Sequence, residues 1–141
     1  MISSGDASEV VIEEIWENQQ MIPFRGFRKP QMSDWSQYSN LYGTVKYDVE
    51  EEEGSFPEME LPEGWEWVQG SEWQVDLNWD KVDAEGWVYA NSLSAFKAPA
   101  DDGSTSAPKW TASKSPITFA RRRRWVRARC CGTSEARELH R

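Results

Sequence analysis

Aliphatic core residues and catalytic side chains are both scarce in this chain of 141 residues. It contains one histidine and two cysteines, whereas tryptophan occurs nine times. Leucine occurs only at Leu41, Leu61, Leu77, Leu93 and Leu139. A core built mainly from leucine is therefore excluded, and tryptophan must fill much of the interior. The length fits a single domain that can bury a core of its own.

The residues that carry most enzyme chemistry are missing or poorly placed. The single histidine, His140, stands next to the last residue, and no glycine-rich phosphate loop is present. Cys130 and Cys131 are adjacent, which gives neither the spacing of a zinc site nor a loop-closing disulfide. We therefore expect no metal and no other cofactor, and we do not expect an enzyme.

Signals for entering or crossing a membrane are also lacking. The first residues, 1–6, have neither the basic region nor the apolar stretch of a signal peptide. No apolar run approaches the length of a membrane span. Unpaired cysteines favour a reducing, cytosol-facing location. We expect a cytoplasmic chain that lies at a membrane peripherally or is tethered to it.

What the sequence does contain is alternation of period two, which predicts β-strands rather than helices. β-branched residues enrich the first such segment, and a turn over 80–86 separates two of the later ones. The predicted strands are 8–17, 65–67, 73–79, 87–90 and 117–127. The fold class predicted is therefore all-β, an antiparallel sheet or meander of long strands with long loops and little or no helix.

Polar and Pro- or Gly-rich segments set the boundaries between these strands. The run Glu50–Glu53 marks 48–63 as a solvated acidic insertion, and 98–116 forms a small, polar loop around Trp110. The resulting organisation is a tail (1–8), one domain (9–129, divided into 9–47, 48–63 and 64–129) and a flexible C-terminal tail (130–141).

The net charge of −8 is distributed unevenly. Residues 1–80 carry 18 acidic and 4 basic side chains, a net −14, and residues 81–141 carry 6 and 12, a net +6. Such asymmetry arises either from two halves that pair within one fold or from a basic tail that meets phosphates or anionic lipid. We favour internal pairing, with Glu66, Glu72, Asp76 and Asp80 as partners for arginines.

Four consecutive arginines, Arg121 to Arg124, lie within the last predicted strand, between Phe119 and Trp125. Alternate arginines must then face the side that carries the aromatic residues, where guanidinium planes stack on indole rings for about 0.5 to 2 kcal/mol each. The residues predicted to form this structural stack are Trp65, Trp67, Trp73, Trp87, Arg121, Arg123 and Trp125.

The loop around Trp110 suggests a binding site. Lys109 and Lys114 flank a lone tryptophan in an otherwise small, polar segment. Trp with nearby basic residues is typical of side chains that sit at lipid headgroup depth. Our hypothesis is that Lys109, Trp110 and Lys114 contact membrane lipid. The alternative is that Trp110 folds back to cap the aromatic core.

Several of these segments together resemble the dysferlin domain, which occurs in ferlins, fungal peroxisomal peroxins and tectonin-repeat proteins. The resemblance covers roughly residues 9–129 and is strongest in the second half. It is carried by the motifs at 16–19, Pro23 with 26–27, 33–35, 64–67, Trp73, Asp76, 85–89 and 121–127. It implies long antiparallel strands held by stacked Arg and Trp, in proteins that act at membranes.

These observations predict a non-catalytic, monomeric β module of a membrane-associated protein, of the membrane repair, trafficking, autophagy or peroxisome type. Lipid headgroups, sphingolipids among them, are the expected partners. The alternatives are a protein-docking scaffold and, less favoured, a carbohydrate-binding module with an exposed Trp row. Nucleic-acid binding is not expected, because the chain has a pI near 4.7.

Overall fold

The computed structural model describes residues 9–31, 33–49, 55–96 and 109–131. Two long strands dominate it, β1 (Val10–Ile22) and β7 (Ala120–Cys131). They pair antiparallel from Val10 opposite Cys130 to Gln20 opposite Ala120. The first and last strands of the described chain thus form the central pair of one sheet. The shorter elements are β2 (Gly26–Arg28), β3 (Tyr38–Ser39), β4 (Trp65–Trp67), β5 (Gln74–Val75), β6 (Val88–Ala90) and a 3₁₀ turn at Leu93–Phe96.

Every strand pairs antiparallel with one of the two long strands. β2 and β3 add to the free edge of β1, and β4, β5 and β6 pair one after another with the free edge of β7. The predicted all-β class is confirmed. The expected meander among the Trp-rich segments is wrong, because each of those segments pairs with β7. A strand of 12 residues has enough backbone donors and acceptors along one edge for three short partners.

The strand boundaries differ from the predicted ones for local reasons. The predicted strand over 73–79 shrinks to Gln74–Val75, because an Asp76 carboxylate oxygen accepts the N–H of Asn78 at 2.8 Å and turns the chain. The last strand begins three residues later than predicted and continues to Cys131. Cys130 and Cys131 are therefore residues of the last strand and not the first residues of a flexible tail.

Part of the segment predicted to be a solvated insertion is packed. Phe56 lies against Tyr38, Trp73 and Trp125, with ring centroids 5.1, 5.4 and 4.9 Å away. Pro57 beside it is buried. The glutamate run Glu50–Glu53 lies outside the described residues. The sequence pattern missed Phe56 because a single aromatic residue among glutamates and prolines carries no periodic signal.

The side chains of β7 alternate between two faces of the sheet. Even-numbered residues from Ala120 to Arg124 face the small apolar core, and odd-numbered residues from Arg121 to Arg129 face the other side. The core cluster consists of Trp35, Val88, Ala90, Leu93, Phe96 and Ala120. An apolar core this small leaves the arginines of β7 to hold much of the sheet together.

Candidate functional site

The odd-numbered arginines of β7 lie on tryptophan rings, in an arrangement we name the Arg–Trp ladder. The guanidinium carbons of Arg121 and Arg123 lie 3.9 and 4.2 Å from the centroid of Trp87. Arg127 lies 4.4 Å from the Trp67 ring and Arg129 lies 3.9 Å from the Trp65 ring. Arg127 and Trp67, and likewise Arg129 and Trp65, are diagonal cross-strand neighbours, because Trp67 pairs with Arg129 and Trp65 pairs with Cys131.

The remaining two residues of the predicted stack are held differently. The Trp125 ring lies 5.1 Å from the Arg123 guanidinium, and its indole N–H donates to Glu17 at 2.9 Å. Trp73 packs edge-on against Trp67 at 5.3 Å. Trp87 is buried, whereas the other tryptophans of the ladder are partly exposed. The ladder thus forms a half-covered surface of the sheet.

Carboxylates of β1 lie opposite the arginines. Arg123 donates to Glu17 at 2.8 Å, and Arg124 bridges Glu14 and Asp76 at 2.7 Å each. Arg129 pairs with Glu13. Of the four carboxylates expected to pair with arginines, Asp76 does so, and Asp80 accepts from an indole instead. The β1 acids were missed because the register of β1 on β7 is a long-range property.

Asp83 organises the turn that delivers Trp87 to the ladder. Its carboxylate accepts the backbone N–H groups of Glu85 and Trp87 at 2.9 Å each and the Tyr89 hydroxyl at 2.5 Å. Partial burial raises the pKa of Asp83, but these bonds and the nearby Arg121 outweigh burial, so the pKa lies below its ordinary value. The charged form of Asp83 therefore supports this turn.

Arg122 occupies an aromatic enclosure on the even-numbered face, which we name the Arg122 cage. The residue is 2% exposed. Its guanidinium carbon lies 4.4, 4.8, 5.4 and 5.8 Å from the ring centroids of Trp16, Phe96, Trp110 and Trp79. One guanidinium nitrogen donates to the Leu41 carbonyl at 3.1 Å. Burial lowers the pKa of Arg122 to about 10, and the charges of Glu14 and Asp80 oppose that shift.

A cleft of about 470 Å³ opens beside the Arg122 cage. Trp16, Trp79 and Trp110 contribute to its walls, and Asp80 and Arg124 add charged groups. The cleft is apolar for the most part, with one carboxylate at its edge. The sequence signal for the cage was present in the parity of β7, because Arg122 must point away from the ladder.

The three residues predicted to contact lipid do not form one exposed tip. Trp110 is partly buried, its indole N–H donates to Asp80 at 2.9 Å, and its ring lies 5.9 Å from Phe96. One side of the Trp110 ring is therefore a wall of the Arg122 cage, and part of the ring remains exposed. Lys109 and Lys114 are exposed, and the Lys114 ammonium lies 5.5 Å from the Phe27 ring.

The described residues show no group of three or more metal-ligating side chains. His140 lies outside the described part of the chain. No helix within the described ranges is long and apolar enough to cross a bilayer.

Comparison with known proteins identifies a family and several related proteins. The family model described as "Pex24p: Integral peroxisomal membrane peroxin" matches residues 6–127. A tectonin beta-propeller repeat-containing protein of Drosophila melanogaster is 31% identical over 121 residues, which is 83% of this chain. The chain spans only 7% of the length of that relative. The family match runs from before β1 to Arg127 in β7, so it includes nearly the whole sheet.

Proposed function

The chain belongs to the Pex24p family of integral peroxisomal membrane peroxins, and on that premise we propose that it is a non-catalytic β module that works at a membrane. The observation that carries this proposal is the match over residues 6–127, because it spans the sheet rather than a short motif. The module would act on the cytoplasmic side, lying at the membrane peripherally or tethered to it.

We further propose that the module is a dysferlin-type domain. Support comes from the motif residues themselves, since Trp65, Trp67, Trp87 and the arginines of β7 lie in guanidinium-to-ring contact. The similarity to a tectonin-repeat protein fits the same group of proteins. In this proposal the Arg–Trp ladder stabilises the sheet, and loops at the edges of the sheet make the binding contacts.

Lipid contact is proposed at the loop that carries Lys109, Trp110 and Lys114. Both lysines are exposed, and each cation near an anionic bilayer contributes about 1 kcal/mol of attraction. Trp110 would contribute the exposed part of its ring while its other side remains on Arg122. Contact through this loop therefore requires that the indole keep its place at Asp80.

Liposome co-sedimentation tests the proposal with neutral, anionic and sphingolipid-containing vesicles. We expect the full chain to bind, and we expect Trp110→Ala to bind more weakly. Trp110→Phe is the matched variant, because it retains a ring beside Phe96 and Arg122 but loses the N–H bond to Asp80. Near-ultraviolet circular dichroism verifies that each variant stays folded.

The outcomes separate the function classes. No binding of the wild-type chain to any of the vesicles overturns the lipid proposal and favours a protein-docking scaffold. Binding that is equal for the wild type and both folded Trp110 variants retains the membrane function but removes the loop as its site. If a soluble sugar inhibits binding to the vesicles, the carbohydrate-binding alternative is favoured instead.

A further inference from the structure

The turn between β1 and β2 holds an aromatic residue that the fold does not use. Phe24 is 108% exposed, and its backbone has a φ of 66°. The turn is closed by the Arg25 N–H, which donates to the Ile22 carbonyl at 3.0 Å. With Pro23 before it, Phe24 takes the third position of a type II turn, where Gly or Asn is favoured. Phenylalanine here strains the backbone and buries nothing within the described chain.

Two more exposed apolar side chains lie in the segment that leads into β7, which is hydrogen-bonded to this hairpin. The Met21 N–H donates to the Phe119 carbonyl at 2.8 Å, which joins the hairpin to the residues just before β7. Phe119 is 51% exposed and Ile117 is 67% exposed. Phe27, opposite Met21, completes this end of the sheet. Exposed apolar groups clustered at one end of an otherwise charged chain indicate contact with another surface.

The same end of the sheet is basic. Residues 20–31 and 109–119 contain no aspartate or glutamate. Arg25, Arg28, Lys29 and Lys114 are all exposed. The ion pairs within the described residues use other arginines, Arg123, Arg124 and Arg129. The rest of the chain carries a net −12 once these four positive charges are subtracted from the net −8.

We propose that this end, named the hairpin surface, docks the chain on an anionic lipid bilayer. It comprises the apolar residues Phe24, Ile117 and Phe119 and the cations Arg25, Arg28, Lys29 and Lys114. The proposal rests on the proposed membrane function and identifies the lipid-facing surface and its charge preference. It extends the contact beyond the Trp110 loop, with which it shares Lys114.

Charge complementarity selects the bilayer as the occupant. An anionic leaflet attracts the four exposed cations at this end of the sheet, which orients the hairpin surface toward the lipid. Phe24 then enters the boundary between headgroups and acyl chains, where an aromatic ring loses its contact with water. The strained turn presents the ring at the most projecting point of the hairpin.

Co-sedimentation of the full chain with phosphatidylcholine vesicles, with and without phosphatidylserine, tests this surface. We expect tighter binding to the anionic vesicles, weakening as salt is raised. Phe24→Gly should reduce binding to anionic vesicles about tenfold, because one buried aromatic group is lost. Arg25→Gln combined with Lys29→Gln should remove most of the preference for phosphatidylserine.

Phe24→Gly also separates binding from folding. Glycine adopts a positive φ without strain, so this variant should melt at the wild-type temperature or above it. Ile12→Ser is the matched control, because Ile12 is 54% exposed and lies on β1 ten residues from Ile22, about 33 Å along the strand. Ile12→Ser should bind vesicles as the wild type does.

Each outcome decides between the two proposals. If the wild type binds no vesicle, the proposed lipid function fails and the hairpin surface fails with it. If the wild type binds and folded Phe24→Gly binds equally well, the membrane function stands and the hairpin surface is overturned. Equal loss in Ile12→Ser and Phe24→Gly also overturns it, because binding would then follow general apolar exposure.

Discussion

The guanidinium carbon of Arg122 lies 4.4 Å from the centroid of the Trp16 ring, and the residue is almost completely buried. No carboxylate forms an ion pair with Arg122 among the described residues; Glu14 and Asp80 act on it from a distance. Four aromatic rings and one carbonyl take the place of a counterion. The domain thus stabilises a buried cation largely by π faces.

Replacing Arg122 tests how the cage works. Arg122→Lys should lower the free energy of unfolding by about 2 to 4 kcal/mol, because a compact ammonium cannot lie flat against the rings and is costly to desolvate. Arg122→Met should cost less, about 1 to 2 kcal/mol, because it fills the cage without a charge. Urea titration followed by tryptophan fluorescence measures both values. A lysine variant as stable as the methionine variant would contradict this account.

Substitutions at two glycines, Gly86 in the turn before Trp87 and Gly70 in the turn after Trp67, test how tightly the turn before Trp87 is packed. Both have positive φ, +90° for Gly86 and +83° for Gly70. A Cβ at Gly86 would collide with Val75, whereas a Cβ at Gly70 meets no atom within 4 Å. Gly86→Ala should therefore cost about 2 to 4 kcal/mol, and Gly70→Ala about 1 to 2 kcal/mol from backbone strain alone. Thermal unfolding of the two variants gives the comparison, and equal losses would contradict it.

Tyr38 predicts a loss of stability at alkaline pH. Burial, with a further contribution from the charge of Glu17, raises the pKa of Tyr38 to about 12, although Arg123 opposes the shift. The folded state retains the phenol proton that the unfolded state loses near pH 10. The stabilisation is therefore complete below about pH 10 and is lost as pH rises to about 12, a change of about 2 to 3 kcal/mol.

Tyr38→Phe isolates that contribution from those of other groups that titrate at alkaline pH. At pH 7 the variant should match the wild type within about 1 kcal/mol, because Phe keeps the ring contact with Phe56. Between about pH 10 and 12 the wild type should lose stability relative to the variant. Denaturant titrations across this range measure the difference, and parallel curves would show that Tyr38 is not the group responsible.

Local patterns in the sequence predicted the class of fold and placed most residues of its two longest strands. Alternation around Trp65, Trp87 and Trp125 requires extended backbone, and four arginines inside such a strand must divide between two faces. The sequence alone therefore predicted that odd- and even-numbered side chains of β7 face opposite sides of the sheet. The predicted ends of the strands were less accurate, because Asx-type turns such as that at Asp76 compete locally with strand pairing.

The lipid hypothesis shows where local pattern reaches its limit. A tryptophan between two lysines looks the same in sequence whether its ring meets lipid or Arg122. Only the tertiary structure shows that the Trp110 N–H donates to Asp80 and that one side of the ring packs near Phe96. Phe24, by contrast, sits between Pro23 and Arg25 in what reads as an ordinary loop, and its exposure is a property of the hairpin geometry.

The sequence by itself determined the all-β class, the dependence on tryptophan and arginine, and the alternation of side chains along β7. These follow from composition and from a period of two residues, which are properties of neighbouring positions. Tertiary structure alone decided that Glu13, Glu14 and Glu17 meet the arginines, that the Trp-rich segments share one edge of β7, and that a basic, apolar hairpin projects at one end. The first two features depend on the register with which β7 pairs with strands distant in sequence, more than a hundred residues away for the β1 glutamates, and no local pattern encodes that register. The third depends on the geometry of the turn between β1 and β2.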